Sequence, residues 1–257
     1  MAERKKSGKK PAAKKKPAAK KKPPKKAAAK KKPAAKTEAV PALPEEWEAA
    51  PEPGWVDQAL SEEFPGLTIL TTTLSVGSGR SPEALKERLR LLSDRFGGAQ
   101  AINLRQQAIP WAYRVFFRHI GLDPDQTPTP IEQLALDRMR EGRWKSRNRL
   151  DDSLTIGMVE SGVAIQAFDA DRVEGRVGLR LSAEDEHFEG RVSPLPDGTI
   201  VIADEKRALG ILFGTTAKGR GVGSKAGRTL LVAIGVRGVP AVALEEGLWL
   251  AASGMHA

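Results

Sequence analysis

A run of charged residues directly follows an apolar segment in the stretch SGVAIQAFDADRVEG, residues 161–175. The apolar part is typical of a buried strand, yet Gln166 lies within it between two apolar residues. Five nearby carboxylates would suit acid–base chemistry if they met in one site. Two of them suit the start of a helix, where free amides and the helix dipole favour anions, and the others suit a turn. We therefore favour structural roles and predict no catalytic residue among Asp151, Asp152, Asp169, Asp171 and Glu174.

A glycine-rich loop, AKGRGVGSKAGR, is the second segment whose residue types suggest chemistry. Glycines let backbone amides approach an anion, and the four cations of this loop add attraction. The loop leads into a strand, and its spacing does not fit a nucleotide-binding loop. Two interpretations stay open: contact with an RNA backbone, or a flexible hairpin tip with scattered charge. The candidate nucleic-acid-binding residues are Lys218, Arg220, Lys225 and Arg228.

Metal and thiol chemistry lack candidates in this sequence. The three histidines, His119, His187 and His256, do not have the spacing of metal ligands. Cysteine is absent, which removes thiol nucleophiles, disulfides and zinc–thiolate sites together. We predict no metal site and no cofactor.

The elements that must position these residues can be read from hydrophobic periodicity. Helices are predicted over 81–96, with Ser81 as N-cap, and over 109–121, 130–141 and 151–161, where Thr129 and Glu132 fit a capping box. Strands are predicted over 67–76, 176–182, 199–204, 209–214 and 229–236, the last three being more uniformly apolar and hence central. We predict an α+β fold: a single mixed-sheet domain over residues 55–254, with helices mainly in its first half.

The first 36 residues differ from the rest of the chain. They hold sixteen lysines and one arginine against a single glutamate, so they carry +16, whereas the whole chain carries +10 and residues 37–257 therefore carry −6. We predict that residues 1–36 form a disordered Lys/Pro/Ala tail that condenses on nucleic acid, followed by a linker over residues 37–54. The tail lacks an apolar face for a membrane, and we expect a cytoplasmic protein. Candidate contacts in the tail are Lys14, Lys15, Lys16, Lys20, Lys21 and Lys22.

The central block resembles a known family. AFDADRVEG is similar to that family's Ala-Phe-Asp-Leu-Asp-x-Ile/Leu-Glu-Gly, TIVIAD to its Leu-Val-Ile-Ala-Asp strand, and FPGLTILTTTLSV to the opening strand of its stand-alone members. The family is the B-three/B-four domain, found in the phenylalanyl-tRNA synthetase beta chain and in smaller proteins. The resemblance covers about residues 64–236 and implies a tRNA partner, with an aminoacyl or amino-acid ligand.

In the synthetase this domain hydrolyses tRNA wrongly charged with tyrosine, and the resemblance carries its pocket over only in part. Gln166 stands where the family has a histidine, and Thr155 where it has an asparagine, whereas Asp152 matches. The family's glycine-rich segment matches at Gly210 and Gly214, but its pocket glutamate is missing and the segment supplies Thr215 and Thr216 instead.

Two interpretations of Gln166 follow. It either joins Asp152 and Thr155 in a neutral hydrogen-bonding pocket, or it is a core glutamine bonded only to backbone. Three functions stay open: a trans-editing deacylase, a non-catalytic module that binds an amino acid or a tRNA end, and a nucleic-acid-binding protein dominated by its tail. No synthetase catalytic core is recognisable, so we do not expect amino-acid activation.

Overall fold

The computed structural model of the protein describes residues 50–189 and 191–257. The predicted tail over residues 1–36, with its six candidate lysines, lies outside the described residues. Seven α-helices occur among the described residues: α1 (Gln58–Glu63), α2 (Glu83–Arg95), α3 (Gly98–Leu104), α4 (Ala108–His119), α5 (Pro130–Glu141), α6 (Arg149–Ser161) and α7 (Ala241–His256). Eight strands accompany them: β1 (Glu52–Pro53), β2 (Trp55–Val56), β3 (Thr68–Leu74), β4 (Ala164–Asp169), β5 (Gly178–Leu181), β6 (Ile200–Ala203), β7 (Ala208–Ile211) and β8 (Thr229–Gly235).

The strands form two four-stranded sheets. The first has the order β1-β3-β8-β4 and is antiparallel throughout, and the second has the order β2-β5-β6-β7, with β2 and β5 parallel. The predicted α+β class with a mixed sheet is confirmed, although the strands divide between two sheets. β6 and β8 are central, as predicted. β7 lies at an edge, so its predicted central position is wrong. It is nonetheless largely buried, and the Ala217 amide donates to the Leu209 carbonyl at 2.8 Å.

The folded body extends slightly beyond its predicted bounds. Glu52 and Pro53 pair with β3, so the predicted linker over residues 37–54 ends inside the first sheet. At the other end α7 continues to His256, past residue 254. No described helix combines the length and the apolar character that crossing a membrane requires.

The first sheet is covered on both faces. Ile165 and Leu231 face α7, whereas Phe168 and Val232 belong to the core that includes aromatic residues of α4. Every residue of β8 is buried, which explains why its sequence is continuously apolar instead of alternating.

Helices α6 and α7 approach each other at glycines. A Cβ atom on Gly157 would lie 3.0 Å from the Cβ of Ala251, and one on Gly254 would lie 2.6 Å from the Oγ of Ser153. Larger residues at these two positions would force the helices apart. Because β4 directly follows α6, this contact fixes the position of the strand that carries Gln166.

One predicted helix start and one predicted helix end are observed, whereas the start of α2 differs. The capping box at α5 forms, with the Thr129 amide donating to the Glu132 carboxylate at 3.2 Å, and Gly162 ends α6 with a φ of 74°. The N-cap of α2 is Pro82, not Ser81. Ser81 instead donates its hydroxyl to Asp152 at 2.6 Å, so a tertiary hydrogen bond replaces the local cap.

A group of charged residues lies around α4 and α5, and we call it the charge cluster: Arg105, Arg114, Asp125 and Glu132. Arg114 and Glu132 are buried, whereas Arg105 and Asp125 are exposed. The Arg114 guanidinium contacts Glu132 at 2.5 Å and Asp125 at 2.7 Å, and Arg105 contacts Glu132 at 3.0 Å. The side chains of Arg114 and Glu132 are about 5% and 3% exposed. Each buried ion therefore has an opposite charge in direct contact.

Candidate functional site

Gln166 lies in the middle of β4, opposite Val232 of β8. Its amide nitrogen donates to the Ile211 carbonyl at 3.3 Å, and its amide oxygen accepts from the Phe213 amide at 3.0 Å. Both polar atoms of the Gln166 amide are thus hydrogen-bonded to residues 211–213, at the end of β7 and just after it. The structure agrees with the second interpretation of this residue, a half-buried glutamine bonded to backbone.

The space beside this hydrogen-bonded segment is filled by Phe213. Its ring packs against those of Tyr113, Phe116 and Phe117, with centroid distances of 5.7, 6.1 and 5.4 Å. Phe213 has a φ of 57°, which is uncommon for a residue with a side chain. Gln166 and the aromatic packing together hold it there.

The predicted pocket of Asp152, Thr155 and Gln166 does not form. The Asp152 carboxylate accepts hydrogen bonds from the Ser81 and Ser146 hydroxyls at 2.6 and 2.5 Å and from the Arg147 amide at 2.9 Å. Thr155 donates its hydroxyl to the Asp151 carbonyl one turn earlier, at 2.7 Å. These two residues line a separate cavity of about 70 Å³. Asp152 and Thr155 do share one side of α6, but Gln166 does not line their cavity.

The glycines and threonines after β7 form the turn that Gln166 holds. The Ile211 amide donates to the Thr215 carbonyl at 3.0 Å, and the Gly214 amide donates to the Ile211 carbonyl at 2.9 Å. Gly210 is bridged to Thr216, both threonines are exposed, and a Cβ on Gly214 would lie 2.8 Å from the Ile211 side chain. Their backbone is needed for the turn, while the threonine hydroxyls face outward.

A larger cleft, of about 260 Å³, opens on the same face of the first sheet. Thr71 and Gln166 both pair with Val232, so the three side chains form one row across that face. Thr71, Thr73 and Leu230 form the floor of the cleft, and Arg176 and Arg228 line it. The Thr73 hydroxyl has no hydrogen-bond partner among residues 50–189 and 191–257. The cleft therefore combines two guanidinium groups and the Glu52 side chain with an available hydroxyl.

Sequence reasoning missed Thr71, Thr73 and Arg176. A signal was present, because threonines at alternate positions of an otherwise apolar strand share one face. Only a structure could add that β1, the turn after β4 and residues 175–177 before β5 enclose that face.

A third cavity, of about 300 Å³, lies near the edge of the second sheet and has mixed charge. It is lined by Glu186 and Lys206 among others. Arg180 hydrogen-bonds to Glu186 at 2.6 and 2.7 Å and holds the pKa of that carboxyl below its usual range. A hydrogen bond from Lys206 likewise lowers the pKa of Glu174. Carboxylates and cations neutralise each other here, so the cavity is a weak candidate for an anionic ligand.

The four cations of the glycine-rich loop divide into two kinds. Arg220 donates to the Arg172 carbonyl at 2.6 Å, and its side chain is only 11% exposed. Arg228 lies 3.7 Å from the Asp171 carboxylate. Lys218 and Lys225 are exposed and form no ion pair within the described part of the chain.

Backbone hydrogen bonds also hold the loop on the turn after β4. The Asp169 amide donates to the Arg220 carbonyl at 2.8 Å, and the Ala170 amide donates to the Arg228 carbonyl at 3.2 Å. The predicted turn at Asp169 and Asp171 is thus confirmed as a short 3-10 helix over Ala170–Arg172. The loop is fixed near its middle and its end, which does not fit a free hairpin tip.

Comparison with known proteins identifies the central block. The family model of the B3/4 domain matches residues 112–233. The phenylalanine–tRNA ligase beta subunit of Aliivibrio fischeri is 31% identical over 124 residues, which cover 46% of this chain and 15% of that protein. The corresponding subunit of Xylella fastidiosa is 34% identical over 99 residues, covering 37% of this chain and 12% of that protein. The similarity is therefore confined to a small part of each curated relative. Residues 112–233 of this chain are thus similar to the B3/4 domain.

Proposed function

We propose that this protein recognises aminoacyl-tRNA without hydrolysing its ester bond. The observation that carries the proposal is the state of Gln166, which stands where the resemblance implies a pocket histidine. Its amide is neutral, with one N–H group donating to the Ile211 carbonyl and its oxygen accepting from the Phe213 amide. General acid–base catalysis of ester hydrolysis needs a group that takes up or gives a proton near neutral pH, and a neutral amide does not.

The tRNA partner is proposed from the relatives. The curated proteins that match are beta subunits of phenylalanine–tRNA ligase, and they share the B3/4 segment with this chain. The matched segment is 15% or less of each of these two relatives, so only recognition by this one domain is proposed.

The cleft on the first sheet is the best candidate for the aminoacylated end. Its volume of about 260 Å³ is near the lower limit, about 300 Å³, of small-molecule pockets. Arg176 and Arg228 offer donors to a phosphate or carboxylate, and the Thr73 hydroxyl offers a neutral hydrogen bond. This arrangement suits binding of a polar, partly anionic group.

The decisive experiment incubates the full-length protein with a panel of charged tRNAs. We expect release of the amino acid at the spontaneous rate and tighter binding of one or more charged tRNAs than of their uncharged forms. Deacylation above the spontaneous rate would establish the alternative function, a trans-acting deacylase. Equal affinity for charged and uncharged tRNA across the panel would contradict recognition of the aminoacyl group.

Two matched variants locate the site. Thr73→Val removes the cleft hydroxyl at nearly constant shape and should reduce the preference for charged tRNA, whereas Thr68→Val, exposed on the same strand but outside the cleft, should not. Gln166→Ala should lower stability by about 1–3 kcal/mol, because two backbone groups lose their partner, and leave the preference unchanged. If Gln166→Ala abolished the preference for charged tRNA and Thr73→Val kept it, the binding site would lie at Gln166 and not in the cleft.

A further inference from the structure

Three chain segments that are distant in sequence meet beside the glycine-rich loop. The Ser78 hydroxyl donates to the Gly223 carbonyl of that loop at 3.2 Å, and the Arg149 amide donates to the Gly79 carbonyl at 3.0 Å. Gly77 lies so close to the loop that a Cβ on it would be 1.9 Å from the Ala226 carbonyl oxygen. Residues 77–80 therefore run between the loop and the start of α6.

Each of these segments presents a cation next to the contacts that join them. We call the three together the basic ridge: Arg80, Arg147 and Lys225. All three are exposed, and none forms an ion pair or a side-chain hydrogen bond within the described residues. Arg149 is a fourth cation, and a Cβ on Gly79 would lie 3.8 Å from its guanidinium. It donates to the Met255 carbonyl at 3.5 Å, and its Nε is buried without a partner among the described residues.

The acids near the ridge bond to other partners and form no ion pair with Arg80, Arg147 or Lys225 among the described residues. The Asp152 carboxylate already accepts three hydrogen bonds, and that of Asp151 accepts one from the Asn148 side chain at 2.9 Å. Asp171 pairs with Arg228. Residues 37–257 carry a net −6, so the ridge places positive charge on a body that is acidic overall.

We propose that the basic ridge binds the phosphate backbone of the tRNA. The inference rests on the proposed function and adds the surface that would hold the body of the nucleic acid. Exposed arginine and lysine side chains contact phosphates without first breaking an internal ion pair, and their binding releases counterions from the RNA. Arg80 and Arg147 are not part of the loop, so the surface is wider than the sequence motif.

The test measures tRNA binding by the full-length protein against salt concentration. Each phosphate contact contributes about 0.7–0.9 to the slope of log affinity against log salt. Replacing Arg80, Arg147 and Lys225 with alanine should therefore lower the slope by about 2 to 3. Between 50 and 200 mM salt, the loss of affinity should be about 20- to 40-fold smaller than in the unmodified protein.

A control variant carries the same change in charge outside the ridge. Arg118, Arg191 and Arg237 are also exposed, and Arg237 lies beyond the opposite end of β8 from Lys225. Replacing these three with alanine should change the slope by less than about 1. Equal slopes in the two triple variants would overturn the ridge and leave the proposed function standing. If the unmodified protein does not bind tRNA, both the ridge and the proposed function are wrong.

Discussion

The charge cluster between α4 and α5 and the basic ridge use the same residue types in opposite ways. In the charge cluster, Arg114 is about 5% exposed and contacts two carboxylates within 2.7 Å. In the ridge, Arg80 and Arg147 are exposed and contact no carboxylate among the described residues. An ion that has lost its water must have a partner in the protein, whereas an exposed ion keeps its water until a ligand replaces it.

This difference separates stability from binding. Removing a charge from the cluster should destabilise the fold, and removing one from the ridge should weaken only the contact with nucleic acid. The predicted tail is similar to the ridge in charge, because its sequence contains sixteen lysines and only one glutamate to pair with them.

Deleting residues 1–36 should give the largest effect on nucleic-acid binding. Six phosphate contacts by the tail would correspond to about 5 units of salt slope on duplex DNA, compared with about 2 to 3 for the whole ridge. Binding of duplex DNA and of tRNA at several salt concentrations measures both slopes. An unchanged slope after deletion would show that the tail makes no phosphate contacts. The salt slope of tRNA binding that remains after the deletion is due to residues 37–257. The effect of the ridge variants on this smaller slope is easier to measure.

Glu132→Ala should have the largest effect on stability. It leaves the buried Arg114 without one of its two carboxylates and should cost about 3–5 kcal/mol of unfolding free energy. The matched control is Glu141→Ala on the same helix, where an exposed pair with Lys145 at 3.3 Å contributes about 0–1 kcal/mol. Denaturant unfolding of both variants measures the difference. Similar losses of unfolding free energy in the two variants would mean that the charge cluster stabilises the fold no more than a surface ion pair does.

Much of the fold could be predicted because local rules and burial agree there. The capping box at Thr129, the end of α6 at Gly162 and the apolar run of β8 all need only neighbours in sequence. The assignment of strands to two sheets depends on pairings between distant segments, such as β2 with β5, which periodicity does not encode. Helix α7 was not predicted; its two mid-helix glycines, Gly247 and Gly254, weaken the helical pattern and are explained only by the close contact with α6.

The site was harder to predict than the fold. The spacing of Asp152 and Thr155 correctly placed both on one face of α6, but spacing does not say which neighbour that face meets. The Asp152 carboxylate, which we predicted to bond to Gln166, instead accepts hydrogen bonds from Ser81 and Ser146, which lie in two other segments. For the loop cations, charge was visible in the sequence, whereas the burial of Arg220 was not.

The glycine-rich loop contains both kinds of cation: the side chain of Arg220 is largely buried, and Lys225 is exposed. Arg220→Ala removes a hydrogen bond of 2.6 Å to the Arg172 carbonyl and should cost about 1.5–3 kcal/mol of stability, because the lost donor is charged and largely buried. Lys225→Ala should stay within about 0.5 kcal/mol of the unmodified protein and should lower the tRNA salt slope by about 0.7–0.9. Thermal unfolding and salt-dependent tRNA binding should therefore rank the two variants in opposite order. If Lys225→Ala destabilises the protein as much as Arg220→Ala does, the loop cations cannot be divided into structural and binding residues. If Arg220→Ala lowers the slope as much as Lys225→Ala, Arg220 contacts the nucleic acid despite its burial.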